Sequence, residues 1–563
     1  MAKRINLSRK NITPRSIYAF TTLQMSRLRG QEQVFLLGFV FLITAFVWLW
    51  GFNTHSFVRR DAFDYAQISA QVSSGRGLST LLIFPRNIPY FQEKASLNQP
   101  YWPNLYRNPL LMAVNAVFQP FFGSVAVSLV VQSGFWYLAS VPVLIFLAFR
   151  LANHRVALAS AVFFAADPVV SLYSYSGMTE TLGTFLVVAM IAVALYPASK
   201  NWHWFLVGVL AGLAYLARAQ FAILLPLSML YAWLAAPRDS RIAAVSSVLV
   251  GLLLPLVPWF ARNLRLTGDA TFSFTTTRNL VLGAVPGHSD LEMQLHAPVE
   301  LGSVLRVYGA GIARKFFENI SSDFLSPAYW ANSFRGMSFL FPVFFFAALL
   351  DRDLARSPLA RRFKWILLVL ILATFLVISL TVYSVRYYLV FRPLILVLAF
   401  VEIDRLLQRL NGRWKIGAPV MAAILLAGLV QLGWNGMEHR SSPPPESSFD
   451  QKAYQILERK AGPQILFASD TPEKLSYVAG VRSLPLPADP QELLEINAHY
   501  LPIDYVLLSK ELWTGEFGAE DEFNYHETYA AYIRFKDSPA FLEIYALEER
   551  LPNGALLYAR RRK

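Results

Sequence analysis

The 563-residue chain contains no cysteine. Disulfides, thiolate nucleophiles and zinc–thiolate sites are excluded by that absence alone. Charge is scarce as well: 16% of residues are Asp, Glu, Lys or Arg and 55% are hydrophobic, where a soluble chain is about a quarter charged. No glycine-rich loop of the phosphate-cradling kind stands out. Acids are the rarer sign, 37 against 51 basic residues, for a net charge of +14. In a chain this apolar, the surplus is better explained by basic cytoplasmic loops than by nucleic-acid binding.

What is present is a series of long apolar runs. Residues 1–33 form a basic tail with Lys3, Arg4, Arg9, Lys10, Arg15, Arg27 and Arg29 against Glu32. Eleven candidate spans follow, at 34–52, 124–149, 155–173, 179–197, 203–217, 219–236, 242–260, 336–350, 364–383, 387–403 and 416–434. The first is too long for a signal-peptide core and lacks a small-residue cleavage site. Basic residues gather in alternate loops: Arg150 and Arg155; Lys200; Arg238 and Arg241; Arg352, Arg356, Arg361, Arg362 and Lys364; Arg405, Arg409, Arg413 and Lys415. That alternation places the N-terminus in the cytoplasm. An odd span count puts the C-terminus outside, together with loops at about 53–123 and 262–335.

The domain reading is a tail (1–33), a transmembrane domain (34–435), a linker (436–448) containing SSPPPESS, and a water-facing α/β domain (449–563). Within the last, QILFA (464–468) and DYVLLS (504–509) read as strands, and EIYALEERLPNGALLYARR (543–561) as two strands around an Asn-Gly turn.

The first external loop opens on RRDAFDYAQISAQVSSGRGLSTL (59–81). Tyr65, Ile68 and Val72 share one helical face, and Gly75-Arg76-Gly77 ends the helix. Asp61 suits an N-cap, which needs only one carboxylate. Asp64, three residues on, lies on the same side and could pair with Arg59 or Arg60. Downstream, NQPYWPNLYRNPLLMAVNAVFQPFFG (98–123) mixes aromatics and prolines as an interfacial segment does. Glu180, in YSYSGMTETLG (173–183), starts a span on the outer side. An ionisable group at membrane depth costs about 2.5 kcal/mol or more and is a functional candidate, although an acid at a helix N-terminus is also favoured by the dipole. Arg218, Arg262 and Arg386 recur where spans emerge outside, in LAYLARAQF, PWFARNLRLTG and YSVRYYLVFRP. Each could snorkel to lipid headgroups. Taken together with the acids they suggest an outward-facing site. Guanidinium forks suit phosphate oxygens, and carboxylates suit deprotonation of an attacking hydroxyl.

The ordered series DAFDYAQISAQVSSGRGLS, YWPNLYRNPLLMAV, YSGMTETL, LAYLARAQ, PWFARN and VRYYLVFRP resembles the polyprenyl-phosphate-sugar-dependent glycosyltransferases of the GT-C fold, the superfamily of protein O-mannosyltransferases and lipid A aminoarabinose transferases. The resemblance covers roughly residues 30–410. It implies a polytopic α-helical fold with a small extracytoplasmic α/β domain in a bacterial inner membrane. The donor it implies is a sugar on a polyprenyl phosphate, and the acceptor a glycan, lipid or protein. By position Asp61 matches the catalytic base, with Asp64 and Glu180 supporting it or binding the acceptor. Arg218, Arg262 and Arg386 would hold the lipid phosphate, helped by Tyr387 or Tyr388. Arg60, Tyr65, Tyr106 and Arg107, in the first two segments, are further substrate-binding candidates. Where many relatives have two adjacent acids this chain has Arg60-Asp61, which weakens a metal-binding pair. No metal is expected, although a divalent ion is used by some relatives.

The rival reading is a transporter or flippase of lipid-linked substrates. It would call for mid-bilayer charges and broken helices from repeated halves, and no such repeat is seen.

Overall fold

A computed structural model describes residues 35–52, 60–196, 201–285, 290–337, 340–351, 357–381, 384–414, 417–441, 448–514 and 525–561. The basic tail, residues 442–447 of the Pro-rich linker, Arg59, Lys200, Arg352, Arg356 and Lys415 fall outside those residues, as do the side chains of Arg60 and Arg413.

The described part of each of the eleven apolar stretches lies mostly on helix. Among the described residues, four helices are long and apolar enough to cross a membrane: Val125–Leu151, Arg238–Thr267, Pro358–Leu380 and Gly417–Ser441. A fifth candidate is a bent pair, His154–Ala165 and Pro168–Ser174, meeting at 61°. The bend falls where a new helix begins. Asp167 accepts from the Val169 and Val170 amides and Pro168 takes the first helical position, where its missing N–H costs nothing. Five further stretches give shorter apolar helices, Phe35–Gly51, Glu180–Ala194, Trp202–Ala217, Ala219–Ala235 and Leu340–Leu350. The helix Arg392–Trp414 carries Glu402, Asp404, Arg405 and Arg409 in its second half, while Leu394–Phe400 are wholly buried. It is the central helix of the bundle core. Helices Asn201–Ala217 and Arg241–Thr267 touch backbone to backbone. A Cβ on Gly208 would meet the Val248 carbonyl oxygen at 2.1 Å, and one on Gly251 the Phe205 carbonyl oxygen at 2.1 Å. Small residues allow such approach where apolar burial cannot drive helix pairing.

The C-terminal region forms a five-stranded sheet of order β4-β3-β5-β7-β6. Its strands are β3 (Leu466–Ser469), β4 (Arg482–Pro485), β5 (Tyr505–Leu508), β6 (Tyr545–Arg550) and β7 (Leu556–Arg560). The first three are parallel, and β6–β7 form the expected hairpin, with Gly554 at φ 87° after Asn553. Strands β1 (Ser79–Thr80) and β2 (Trp102–Pro103) make a two-stranded pair in the first loop.

This region is not packed by itself. Leu82 bridges in parallel to Ser483 on the edge strand β4. Ile83, Ile88 and Trp102 from the first loop, Phe274 and Leu295 from the second, and Leu484, Val506 and Tyr558 from the sheet share one core. The helix Pro472–Val478 packs on Arg60–Ser73, with the rings of Phe63 and Tyr477 6.1 Å apart. Both loops and the sheet therefore brace the helix that starts at Arg60.

Candidate active site

Helix Arg60–Ser73 carries Asp61 in its first turn. Its inner face is Ala62, Tyr65, Ala66 and Ile68, all buried, and Gly75 and Gly77, at φ 78° and 66°, turn the chain out of it. Asp61 does not act as a lone cap. Arg107 Nη2 approaches its Oδ1 at 2.7 Å and Arg386 Nη1 its Oδ2 at 2.6 Å. Burial pushes the carboxyl up, but the two guanidiniums outweigh it and hold Asp61 well below the usual carboxylate range.

Arg107 also reaches Asp64, Nε to Oδ2 at 2.6 Å, so one guanidinium spans both aspartates of the helix. Asp64 is buried and accepts in addition from Gln67 Nε2, which also donates to Thr80 Oγ1. Asn104, itself buried, fixes the Arg107 backbone. Its Oδ1 accepts from the Arg107 amide at 2.9 Å and its Nδ2 donates to the Arg107 carbonyl at 2.9 Å. The guanidinium lies 5.1 Å from the Tyr65 ring and 5.2 Å from the Tyr106 ring.

Glu180 is the first residue of helix Glu180–Ala194 and is buried. Arg218 Nη1 meets its Oε1 at 2.5 Å and Arg386 Nη1 lies 3.9 Å from the same atom. Among the described residues its Oε2 has no hydrogen-bond partner. Arg386 thus links the Asp61 and Glu180 carboxylates. Tyr387 lies beside it, its ring 5.3 Å from the Arg218 guanidinium and 5.9 Å from that of Arg386.

The remaining candidates fall elsewhere. Arg262 donates to the Leu78 carbonyl at 2.8 Å and lies over Trp259, so it ties a helix end to the first loop and has no ion pair with the three acids. Tyr388 is fully buried and shares a hydroxyl–hydroxyl bond of 2.9 Å with Tyr329. Adjacent residues of the 3₁₀ turn Val385–Phe391 face different sides, so Tyr387 and Tyr388 part company. The Tyr106 hydroxyl donates to Glu292. It belongs to a second polar cluster that sequence reasoning missed, with Arg278, Asp290 and Arg86. Burial pushes the Glu292 carboxyl up to about 8 against the pull of Arg278, and Tyr106 is raised well above its ordinary value by burial.

A divalent metal fits this donor set poorly. Each of the three acids is already bonded to a guanidinium, and no group of three His, Asp or Glu suited to a metal occurs among the described residues.

Residues 106–261 match the family described as dolichyl-phosphate-mannose-protein mannosyltransferase. No curated protein matches the sequence. Among solved structures, the oligosaccharyltransferase of Archaeoglobus fulgidus, in a complex with Zn and sulfate, is similar at 14% identity and TM-score 0.58, over 93% of this chain and 73% of that one. ArnT from Cupriavidus metallidurans bound to undecaprenyl phosphate is similar at 13% identity and TM-score 0.57, over 93% of this chain and 98% of that one. The chain has the GT-C fold of these transferases, with the mannosyltransferase-family match running from the Tyr106–Arg107 segment to Ala261 within the Arg241–Thr267 helix.

Proposed function

We propose that the chain is a membrane glycosyltransferase that moves a sugar from a polyprenyl-phosphate donor to a hydroxyl acceptor, with inversion and with Asp61 as general base. The observation that carries this reading is the Asp61 carboxylate held between the Arg107 and Arg386 guanidiniums, with Glu180 and Arg218 beside it. The acceptor hydroxyl would give its proton to Asp61 as its oxygen attacks the anomeric carbon. The bond from that carbon to the phosphate oxygen breaks, and polyprenyl phosphate leaves with the electron pair. Displacement from the opposite face inverts the centre.

The arginines have two tasks. A phosphate presents charge and several oxygens to guanidinium forks, so the donor competes with Asp61 for Arg107 and Arg386. Their transfer to the phosphate both stabilises the leaving group and returns basicity to Asp61. Glu180, with an oxygen unpartnered among the described residues, is suited to a sugar or acceptor hydroxyl. A lipid-borne donor places the chemistry at the outer face, with the N-terminus cytoplasmic and the C-terminal sheet outside. The sheet and both loops would then cover the acceptor side.

The test is release of polyprenyl phosphate from a panel of polyprenyl-phosphate sugars by protein in lipid, read by mass spectrometry. Asp61→Asn should lower turnover about 10²- to 10⁴-fold while leaving the fold and donor binding intact. Equal release by variant and wild type would remove Asp61 from the mechanism. Sugar-lipid crossing the bilayer without release would support the transporter reading.

A further inference from the structure

Behind the acid–arginine cluster lies a second one that the proposed chemistry does not use. Asp290 and Glu292 sit on and beside the turn Leu291–Met293 of the second loop. Arg278 meets Asp290 Oδ2 at 2.5 Å and Glu292 Oε2 at 3.1 Å. Arg86, fully buried, donates to the Pro298 carbonyl and to Thr277 Oγ1. The remaining Glu292 oxygen, Oε1, accepts from the Tyr106 hydroxyl. That tyrosine is the neighbour of Arg107 in sequence, and its ring is one of the two that flank the Arg107 guanidinium.

The same loop also holds the Tyr106 main chain. Thr275 Oγ1 donates to the Tyr106 carbonyl at 2.6 Å, and the Phe274 amide to the Leu105 carbonyl at 3.1 Å. Phe84 stacks on the Tyr106 ring at 4.9 Å. Ring tilt is thus fixed at one end by Phe84 and at the other by the hydroxyl's bond to Glu292. A buried acid–arginine cluster adds little net stability, because desolvation offsets attraction. Its effect is better sought in geometry.

We propose that Glu292 and Tyr106 are positioning residues: through the Tyr106 ring they set the plane of the Arg107 guanidinium, and so its exchange between the two aspartates and the donor phosphate. This rests on the reading of the donor as a polyprenyl-phosphate sugar. A guanidinium is a flat fork whose bidentate pairing depends on its plane. Loosening the ring beneath it would weaken phosphate capture before it weakened the fold.

The experiment uses the full chain in lipid and four variants: Tyr106→Phe, Glu292→Ala, the double variant, and Glu292→Gln. Each is measured for Kd of sugar-free polyprenyl phosphate, donor KM, kcat and thermal unfolding. Loss of one hydrogen bond's worth of positioning should raise Kd and KM about five- to tenfold in Tyr106→Phe and in Glu292→Ala. The double variant should be no worse than either single one, as expected of residues acting through one bond. Glu292→Gln, whose amide oxygen still accepts from the hydroxyl, should recover most of the affinity. Unchanged Kd and KM in both single variants, or losses that multiply in the double, would overturn the proposal. So would lowered unfolding temperatures with Kd unmoved, the mark of a merely structural role. A wild type that binds no polyprenyl phosphate overturns the functional reading along with it, whereas a binding wild type matched by its variants overturns this proposal alone.

Discussion

Asp61 with its arginines and Asp167 with Arg392 are the same chemical pair in two settings. The Arg392 and Asp167 side chains are 0% and 3% exposed. Asp167 Oδ1 accepts from two helix amides and from Arg392 Nη1 at 3.0 Å, while its Oδ2 takes the same nitrogen at 2.8 Å. Arg392 also donates to the Arg335 carbonyl. Asp61 keeps 23% of its side chain exposed and, among the described residues, is bonded to side chains alone, two guanidiniums that are themselves shared with Asp64 and Glu180. Exposure and shared partners make a carboxylate available. Saturation by backbone makes it a brace. The two settings are joined, since Arg386 and Arg392 lie at the two ends of the turn Val385–Phe391. The sealed pair anchors the segment that presents the open one.

The largest effect should come from opening the seal. Arg392→Met leaves Asp167 charged and uncompensated in the bundle, which typically costs about 3–5 kcal/mol. We expect a much lower unfolding temperature in detergent or lipid. Asp61→Asn, which leaves its two arginines near solvent and other acids, should unfold close to wild type. If the two variants were equally destabilised, the distinction drawn from exposure would be wrong.

A smaller effect should appear in the pH profile. Arg107 and Arg386 lower the Asp61 carboxyl below its ordinary value of 3.8. The free enzyme then keeps Asp61 ionised as pH falls to about 4, and kcat/KM, which reports the free enzyme, should show no acidic limb from this group above that pH. A depressed pKa also means that the stability due to these pairs is present above the unfolded value and lost only in stronger acid. Removing one guanidinium in Arg386→Met should raise the limb by about one to two pH units on whatever activity remains. A wild-type acidic limb at or above about pH 4 that Arg386→Met leaves in place would mean that Arg386 does not face Asp61 in the working enzyme.

Much of this site could be read in the sequence because charge is rare there. Asp61, Asp64, Glu180, Arg218 and Arg386 stand near the ends of apolar runs, and in the structure they form one connected set once Arg107 joins Asp64 to Asp61. Arg107 was reached through its Tyr-Arg-Asn-Pro segment, but its span of both aspartates depends on the path of the first loop. The strands β3, β5, β6 and β7 were visible as apolar runs and an Asn-Gly turn. Strand β4, Arg-Ser-Leu-Pro, has no alternation to show and is defined by partners on both sides, one of them the distant Leu82. The Glu292 cluster was invisible for a similar reason. Its four charged members lie between 86 and 292 on short helices, turns and loops of the two external segments, and only the shared core of loops and sheet brings them together. Span lengths were the least legible feature, since several apolar helices are short and the central one is charged at one end.

The smallest predicted effect concerns a residue that sequence alone cannot separate from the site. Arg218, Arg262 and Arg386 all stand where an apolar run ends, and pattern gives them equal weight. In the structure two of them pair with acids, while Arg262 donates to the Leu78 carbonyl and to the side chain of its neighbour Asn263. Leu78 precedes β1, whose Thr80 bonds the Gln67 that supports Asp64, so Arg262 touches the site only through the loop. Arg262→Met keeps an apolar side chain beside Trp259 but removes the guanidinium over that ring and both of its hydrogen bonds; the charged bond to the Leu78 carbonyl is worth about 1.5–3 kcal/mol. Part of that should be recovered because the half-buried carbonyl can meet water. We expect a small drop in unfolding temperature and a donor KM within about twofold of wild type, against a loss of about tenfold or more for Arg218→Met or Arg386→Met, which under the proposed function would remove charge-assisted partners of the phosphate. A tenfold rise in donor KM for Arg262→Met would put this arginine back beside the phosphate and require the helix end at Arg262 to swing toward Asp61 when the donor binds.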